Sequence, residues 1–357
     1  MPPRKKTKLT RGASAVDEDR EGGRVDQDEE EAVERYQFPT VRPGEALVDS
    51  YTFHSSEPLA TTSVEVEGAE KEEEGWMLGV DEAGRGPALG PQVYGIAYCK
   101  TSYSDQLNNL GFFDSKTLTD PIREELFKSI IEHEQDVKYS VTVMSPNDIS
   151  MGMLRRIPYN LNAQSHDCTI NLIREVVDRG YNIRQCFVDT VGPAADYQAK
   201  LTSLFPTISF TVCSKADALF PIVSAASIVA KITRDRILED WTFLEQPVET
   251  TKDEDETDGP ERKDEQDERR LFGSGYPSDP KTVAWLESNF HPVFGFPNVA
   301  RFSWAPVKNA LLKKGVAFKW SDEPAGIQKY FSGDDDDSGR DRNALWKDLN
   351  LVSVAEF

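Results

Sequence analysis

Trp76-Met77-Leu78-Gly79-Val80-Asp81-Glu82-Ala83-Gly84-Arg85-Gly86-Pro87 joins a short apolar run to two adjacent acids and a glycine-rich turn. An apolar run of this length, ended by a turn signal, is what a buried strand shows, and the fold is expected to begin here, at about Gly75. Working outward, the runs 92–98, 138–144, 185–189 and 208–213 are each rich in Val, Ile, Phe, Tyr or Thr and are predicted strands. Helical periodicity appears at 121–132, 160–179, 197–204 and 222–244. Strands come first and then alternate with helices, which predicts an α/β fold with a mixed sheet flanked by helices. The apolar stretch 220–230, with its small residues Ser224, Ala225, Ala226 and Ser227, is expected to be a core helix packed closely on that sheet.

The flanks have another texture. Residues 1–74 open with Arg4-Lys5-Lys6-Thr7-Lys8, pass through an acidic run and carry few aromatics, so they are expected to form a disordered tail. The basic opening has two readings, a nuclear localisation signal and a solvated charged tail, and the expected location is the nucleus. The tract 247–270 is almost free of apolar residues and is expected to be a flexible insertion; after Trp320 the chain turns polar again. Within the tail 321–357, Leu345, Trp346, Leu349, Leu351 and Val352 are suited to contact with a partner protein of the same complex.

A net charge of −21, from 62 acids against 41 bases, would argue against a nucleic-acid partner. Its distribution removes the objection: residues 1–74 carry −9, 251–270 carry −5 and 321–357 carry −5, which leaves about −2 for the rest. Cys99, Cys168, Cys186 and Cys213 show no C-x-x-C spacing and the four histidines are scattered, so neither zinc nor a disulfide framework is indicated. No stretch approaches the ~18 apolar residues needed to span a bilayer, and no membrane association is expected.

Four acids occupy strand ends or helix starts. Asp81 and Glu82 close the first strand, Asp189 closes Cys186-Phe187-Val188, and Asp217 precedes the apolar helix. A single acid in such a place is ordinarily a cap or turn residue. Several brought together repel one another, and a pair of Mg²⁺ ions, which take oxygen ligands, would relieve that repulsion.

The surroundings of these acids resemble type 2 ribonuclease H. Gly79 to Pro91 is very similar to the opening motif of that family, including its Gly84-Arg85-Gly86 triplet. Asp114-Ser115-Lys116-Thr117-Leu118, Tyr159-Asn160-Leu161-Asn162 with Ser165-His166-Asp167, Val188-Asp189-Thr190-Val191-Gly192 and Lys215-Ala216-Asp217-Ala218 follow in the family's order. The run 223–231 and Gly273-Ser274-Gly275-Tyr276-Pro277 complete the set, so the resemblance covers about 75–308.

What the resemblance implies is specific. The fold would be ribonuclease H-like with a helical C-terminal portion, and residues 75–320 would be the catalytic domain. Asp81, Glu82, Asp189 and Asp217 would bind two Mg²⁺ or Mn²⁺ ions. Gly84, Arg85 and Gly86 would read the ribose 2′-hydroxyl, since glycines let backbone approach a ligand closely. Tyr276 would pack on the sugar beside the RNA–DNA junction, and Lys116, Arg85 and Lys215 would hold phosphates. Asn160, with Ser165, His166 and Asp167, would touch nucleic acid, and Arg301 and Lys308 would support the duplex. The activity would be cleavage of the RNA strand of RNA–DNA hybrids, and of duplex DNA 5′ of a single embedded ribonucleotide, in primer removal and ribonucleotide excision. Two non-catalytic subunits would complete a heterotrimer. A catalytically silent hybrid-binding scaffold is the rival in another class, and an intact acid quartet beside a polyanion argues against it; a junction-cutting DNA nuclease would need no ribose reader.

Overall fold

The structure, a computed structural model, describes residues 39–41, 44–57, 59, 74–112, 118–190, 192–245 and 272–317. Six strands, β1 (Tyr51–His54), β2 (Trp76–Ala83), β3 (Gln92–Lys100), β4 (Val137–Met144), β5 (Ile183–Asp189) and β6 (Ser209–Cys213), form one sheet in the order β1-β4-β3-β2-β5-β6. The meander β2, β3, β4 and the edge strand β1 pair antiparallel, whereas β5 and β6 pair parallel to β2 and to each other. The sheet is therefore mixed, as the order of elements predicts.

Pleating sorts β2 between two cores. Trp76, Leu78 and Val80 face one core, built with α4 (Leu161–Asp178) and α5 (Ala194–Leu204). Met77 and Ala83 face the other, which is dominated by α6 (Pro221–Glu239). Helices α1 (Ser104–Asn109) and α2 (Asp120–Glu132) also cover that second face, as do α7 (Pro280–Ser288) and α8 (Ala305–Lys314), the helical C-terminal portion. The remaining helix, α3 (Pro146–Met153), leads from β4 toward α4.

The small residues of α6 do what their size suggests. A Cβ on Gly79 would lie 2.4 Å from the carbonyl oxygen of Ile222, and one on Gly95 would lie 2.6 Å from that of Ala226. Helix backbone thus rests directly on β2 and β3, with no side chain between them.

The start of the fold needs correction. Residues 1–74 do not form one disordered tail, because Tyr51–His54 pairs with β4 in the register Tyr51 to Val143 through His54 to Ser140. Tyr51 and Phe53 pack on the α6-side core. His54 bonds Ser140 and Glu175 through its two ring nitrogens at 2.8 and 2.9 Å, and Ser50 donates its backbone N–H to the Asp148 carboxylate at 2.7 Å. Four alternating residues inside a long polar stretch give too short a period to stand out in the sequence. The insertion 247–270, the tail 321–357 and the basic opening all lie outside the described residues.

Removing residues 1–57 is expected to lower the melting temperature measurably relative to removing 1–38. The longer truncation exposes the β4 edge and strips apolar cover from the core. Equal melting of the two truncated chains in a calorimeter would remove β1 from the cooperative fold.

Candidate active site

Parallel strands place their carboxyl ends together, and the register here does so residue by residue. Val80 pairs with Val188, and Val188 with Val212. One step further, Asp81 and Asp189 turn to the α6 side of the sheet, the face shared by Met77 and Phe187. Asp217 joins them from the 3₁₀ turn Ala216–Ala218, which follows β6 and leads into α6. The Asp189 carboxylate accepts backbone N–H bonds from Thr190 and Ala216, both at 3.1 Å, and so ties the end of β5 to the turn bearing Asp217. Lys215 begins that turn in the left-handed conformation, φ 60°, with its side chain exposed.

Asp81 and Asp217 are both buried. Burial pushes the Asp81 carboxyl up to about 7, and the charges of Asp189 and Asp217 push in the same direction, against hydrogen bonds from the Ser227 hydroxyl and the Glu82 N–H. Three carboxylates thus lie near one another at this end of the sheet, two of them buried. Among the described residues no three acidic, histidine or cysteine side chains are drawn into a closed ligand group. The donor set nevertheless suits a hard divalent cation: it is all oxygen, and the charges of Asp189 and Asp217 act on Asp81. Glu82, the next residue along, has the opposite pleat. It is half-buried, and its charge acts on Tyr94 and Tyr197 of the α4 side. The structure brings three of the four acids to one face and leaves Glu82 at the strand end beside them.

The glycine turn is held by its carbonyls. Arg301, fully buried, donates to the carbonyl oxygens of Gly84 at 2.6 Å, Gly90 at 2.8 Å and Arg85 at 3.2 Å. Trp304 donates its indole N–H to the Gly86 carbonyl at 2.9 Å, and its ring lies 4.8 Å from the Arg301 guanidinium. Burial, and then the charge of Arg234, lowers the Arg301 pKa to about 9. The expectation that Arg301 supports a duplex directly is therefore wrong: a residue without exposed surface shapes the turn from beneath. Lys308 is exposed on α8.

Tyr276 stands against the same turn. A Cβ on Gly86 would come within 2.9 Å of its ring, so only glycine leaves the ring where it is. The Tyr276 loop is anchored by Ala88 donating to the Gly275 carbonyl at 2.8 Å and by Asp279 accepting from the Ser274 N–H at 2.8 Å. The ring stays substantially exposed.

Arg85 turns toward α4, donating to Ser165 at 2.9 Å and to Asn162. Asn160 spends its carboxamide oxygen on capping α4 through the Ala163 N–H, at 3.0 Å. His166 stacks on Tyr197 with centroids 3.9 Å apart, and Asp167 accepts from the Tyr159 hydroxyl at 2.6 Å. These last three serve the packing of α4, whereas Asn162, Arg301 and Trp304 gain positions beside the site. Lys116 lies outside the described residues.

Comparison with known proteins agrees with this geometry. The family model described as Ribonuclease HII matches residues 78–307, and the chain belongs to the ribonuclease HII family of nucleases. Among its relatives, the A subunit of ribonuclease H2 from Bos taurus is 45% identical over 263 residues, 72% of this chain and 82% of that one. The protein of the same name from Arabidopsis thaliana is 47% identical over 244 residues, 68% and 76% of the two chains. The crystal structure of the ribonuclease H2 from Pyrococcus horikoshii OT3 superposes with a TM-score of 0.53 at 29% identity, covering 67% of this chain and 98% of that one. The fold is that of the ribonuclease H-like nucleases.

Asp81→Asn is expected to stabilise the protein in the presence of a chelator at pH 8. The carboxyl titrates near 3.8 when unfolded and near 7 when folded, so its ionisation costs stability progressively as pH rises through that window. At pH 8 the gain is at most a few kcal/mol, at about 1.4 kcal/mol per pKa unit, and it should close as pH falls toward 4. Denaturant unfolding across that range checks it; a variant less stable at pH 8 than at pH 5, relative to wild type, would show that ionising the buried Asp81 costs no stability.

Proposed function

We propose that this chain is the catalytic subunit of a type 2 ribonuclease H, cutting the RNA strand of RNA–DNA hybrids and duplex DNA 5′ of single embedded ribonucleotides. The observation that carries this reading is the juxtaposition of a group of carboxylates at the ends of parallel strands, Asp81 buried among them, with a backbone turn backed by a tyrosine. Divalent ions, Mg²⁺ or Mn²⁺ and two per site, would supply activation of water and stabilisation of the departing 3′ oxygen, leaving a 3′-hydroxyl and a 5′-phosphate. Asp81, Asp189 and Asp217 would hold them, with Glu82 reaching in from the strand end.

The remaining work belongs to the chain's own groups. Arg301 and Trp304 occupy the carbonyls of residues 84–86, which leaves the opposite edge of the turn to meet a 2′-hydroxyl, the group that separates RNA from DNA. The Tyr276 ring, braced by Gly86, supports the sugar at the junction. Arg85, Lys116 and Lys215 carry the positive charge suited to backbone phosphates, and Asn160 has its amide nitrogen available to donate. Relatives that are named as one subunit of ribonuclease H2 support a place in an assembly with two non-catalytic subunits. The basic residues 4–8 support a nuclear location, with roles in primer removal and ribonucleotide excision.

A duplex containing one ribonucleotide, incubated with the chain and its assembled complex with and without Mg²⁺, tests the reading. Cleavage should need the metal and vanish in Asp81→Asn; no cleavage under any condition would leave a binding protein. Tyr276→Ala is expected to lose tenfold or more in single-turnover rate on that substrate, corresponding to a stacking contact of ~1–3 kcal/mol. The loss should be smaller on a long hybrid, where many registers offer 2′-hydroxyls. Equal losses on both substrates would make Tyr276 structural.

A further inference from the structure

Between α3 and α4 the chain makes a loop, Leu154-Arg155-Arg156-Ile157-Pro158, in which every residue is exposed. Single exposed aliphatics are commonplace. This loop is unusual in holding two of them, Leu154 53% and Ile157 85% exposed, on either side of two arginines, with Met151 exposed nearby. Among the described residues neither arginine lies within ion-pair distance of a carboxylate. In a chain of net charge −21, two adjacent arginines with no carboxylate beside them among the described residues form a local positive tip.

The tip stands on a fixed base. Tyr159 donates its N–H to the Gly152 carbonyl at 2.9 Å, which closes the loop, and Gln164 on α4 donates to the Tyr159 carbonyl at 2.7 Å. Below, the Ser150 hydroxyl accepts from the Phe302 N–H at 2.9 Å, and Ser303 bonds the Met153 sulfur at 3.4 Å. Phe302 and Ser303 are flanked by Arg301 and Trp304, the two residues that grip the glycine turn. On the other side the loop runs directly into the first turns of α4, whose Asn162 and Ser165 bind Arg85. The loop is thereby framed by the same contacts that shape the ribose-reading turn.

We propose that residues 154–158 form a second contact with duplex nucleic acid, gripping the minor groove that flanks the cleavage site. Arg155 and Arg156 meet backbone phosphates, and Ile157 with Pro158 packs against the sugars. Charge complementarity and continuity with the Arg85 region favour a nucleic-acid partner, and arginines beside an apolar wedge are the residue types that minor-groove contacts use. Such a contact recognises duplex shape and not sequence, and it would hold substrate without touching the scissile bond. The inference rests on the nuclease reading above.

The test uses the full chain, with binding to a fluorescent RNA–DNA hybrid measured in chelator across a series of salt concentrations. Arg155→Gln/Arg156→Gln should weaken binding several-fold and reduce the slope of log affinity against log salt by about 2, close to 0.9 for each phosphate no longer neutralised. Ile157→Ser should weaken binding while leaving that slope unchanged. Melting temperatures should stay at the wild-type value, since no loop side chain enters the core. Unchanged affinity and slope in the double variant, with a wild-type chain that binds and cuts the hybrid, would overturn the loop's role and leave the nuclease reading standing. A wild-type protein that neither binds nor cuts the hybrid, as the chain alone or in its assembled complex, would overturn both.

Discussion

The carbonyl oxygen of Ile222 rests on the α-carbon of Gly79, and most of the site follows from that contact. With no side chain between them, α6 and β2 approach closely enough for Ser227 to bond Asp81, and the helix start lies where Asp217 has just left β6. Any side chain at Gly79 would lift the helix from the strand and open the pocket in which three carboxylates crowd. Close packing and electrostatic tension thus have one origin: the helix that excludes water from Asp81 also raises the cost of its charge.

A second constraint works on the opposite side of the glycine turn. One guanidinium reaches three carbonyls between Gly84 and Gly90, and an indole takes a fourth at Gly86. Buried carbonyls need donors, and supplying them from Arg301 and Trp304 determines which edge of the turn is left for a ligand. The low pKa of Arg301 registers what burying that cation costs.

The sheet was legible in the sequence wherever a strand was a run of β-branched and aromatic residues, and strands β2 to β6 fall within about two residues of expectation. Strand β1 was hidden by its length. Helices α1, α3, α7 and α8 have between six and ten residues, two or three turns at most, which gives helical periodicity little room to repeat. Each acid ends a strand or starts a helix, where a cap is the ordinary reading, and it was the motifs around them that set these four apart. That Glu82 turns to the other face than Asp81 was available from the period of two along any strand. The resemblance names Arg301 as a support for the duplex, but its bonds to the glycine turn, and the bonds of Trp304 and Asn162, were not legible, because their partners lie 77 to 218 residues away and no local pattern records such a pairing. Composition gave a further signal: an arginine and a tryptophan close together in an otherwise apolar stretch, 299–307, are residues that need partners.

The distance in sequence between the glycine turn and its clamp also sets an order of events during synthesis. Residues 51–245 can leave the ribosome with the sheet and α6 complete, yet the turn after Asp81 then lacks the donors for its carbonyls. Only when residues 301–304 emerge, roughly 3 to 12 seconds later at ordinary elongation rates of ~5–20 residues per second, does that turn acquire its shape. The nascent chain therefore carries its acids before it carries a finished glycine turn. Residues 247–270 lie within this interval and lengthen it. A nuclease arranged in this way finishes the turn beside its acids late in its own folding.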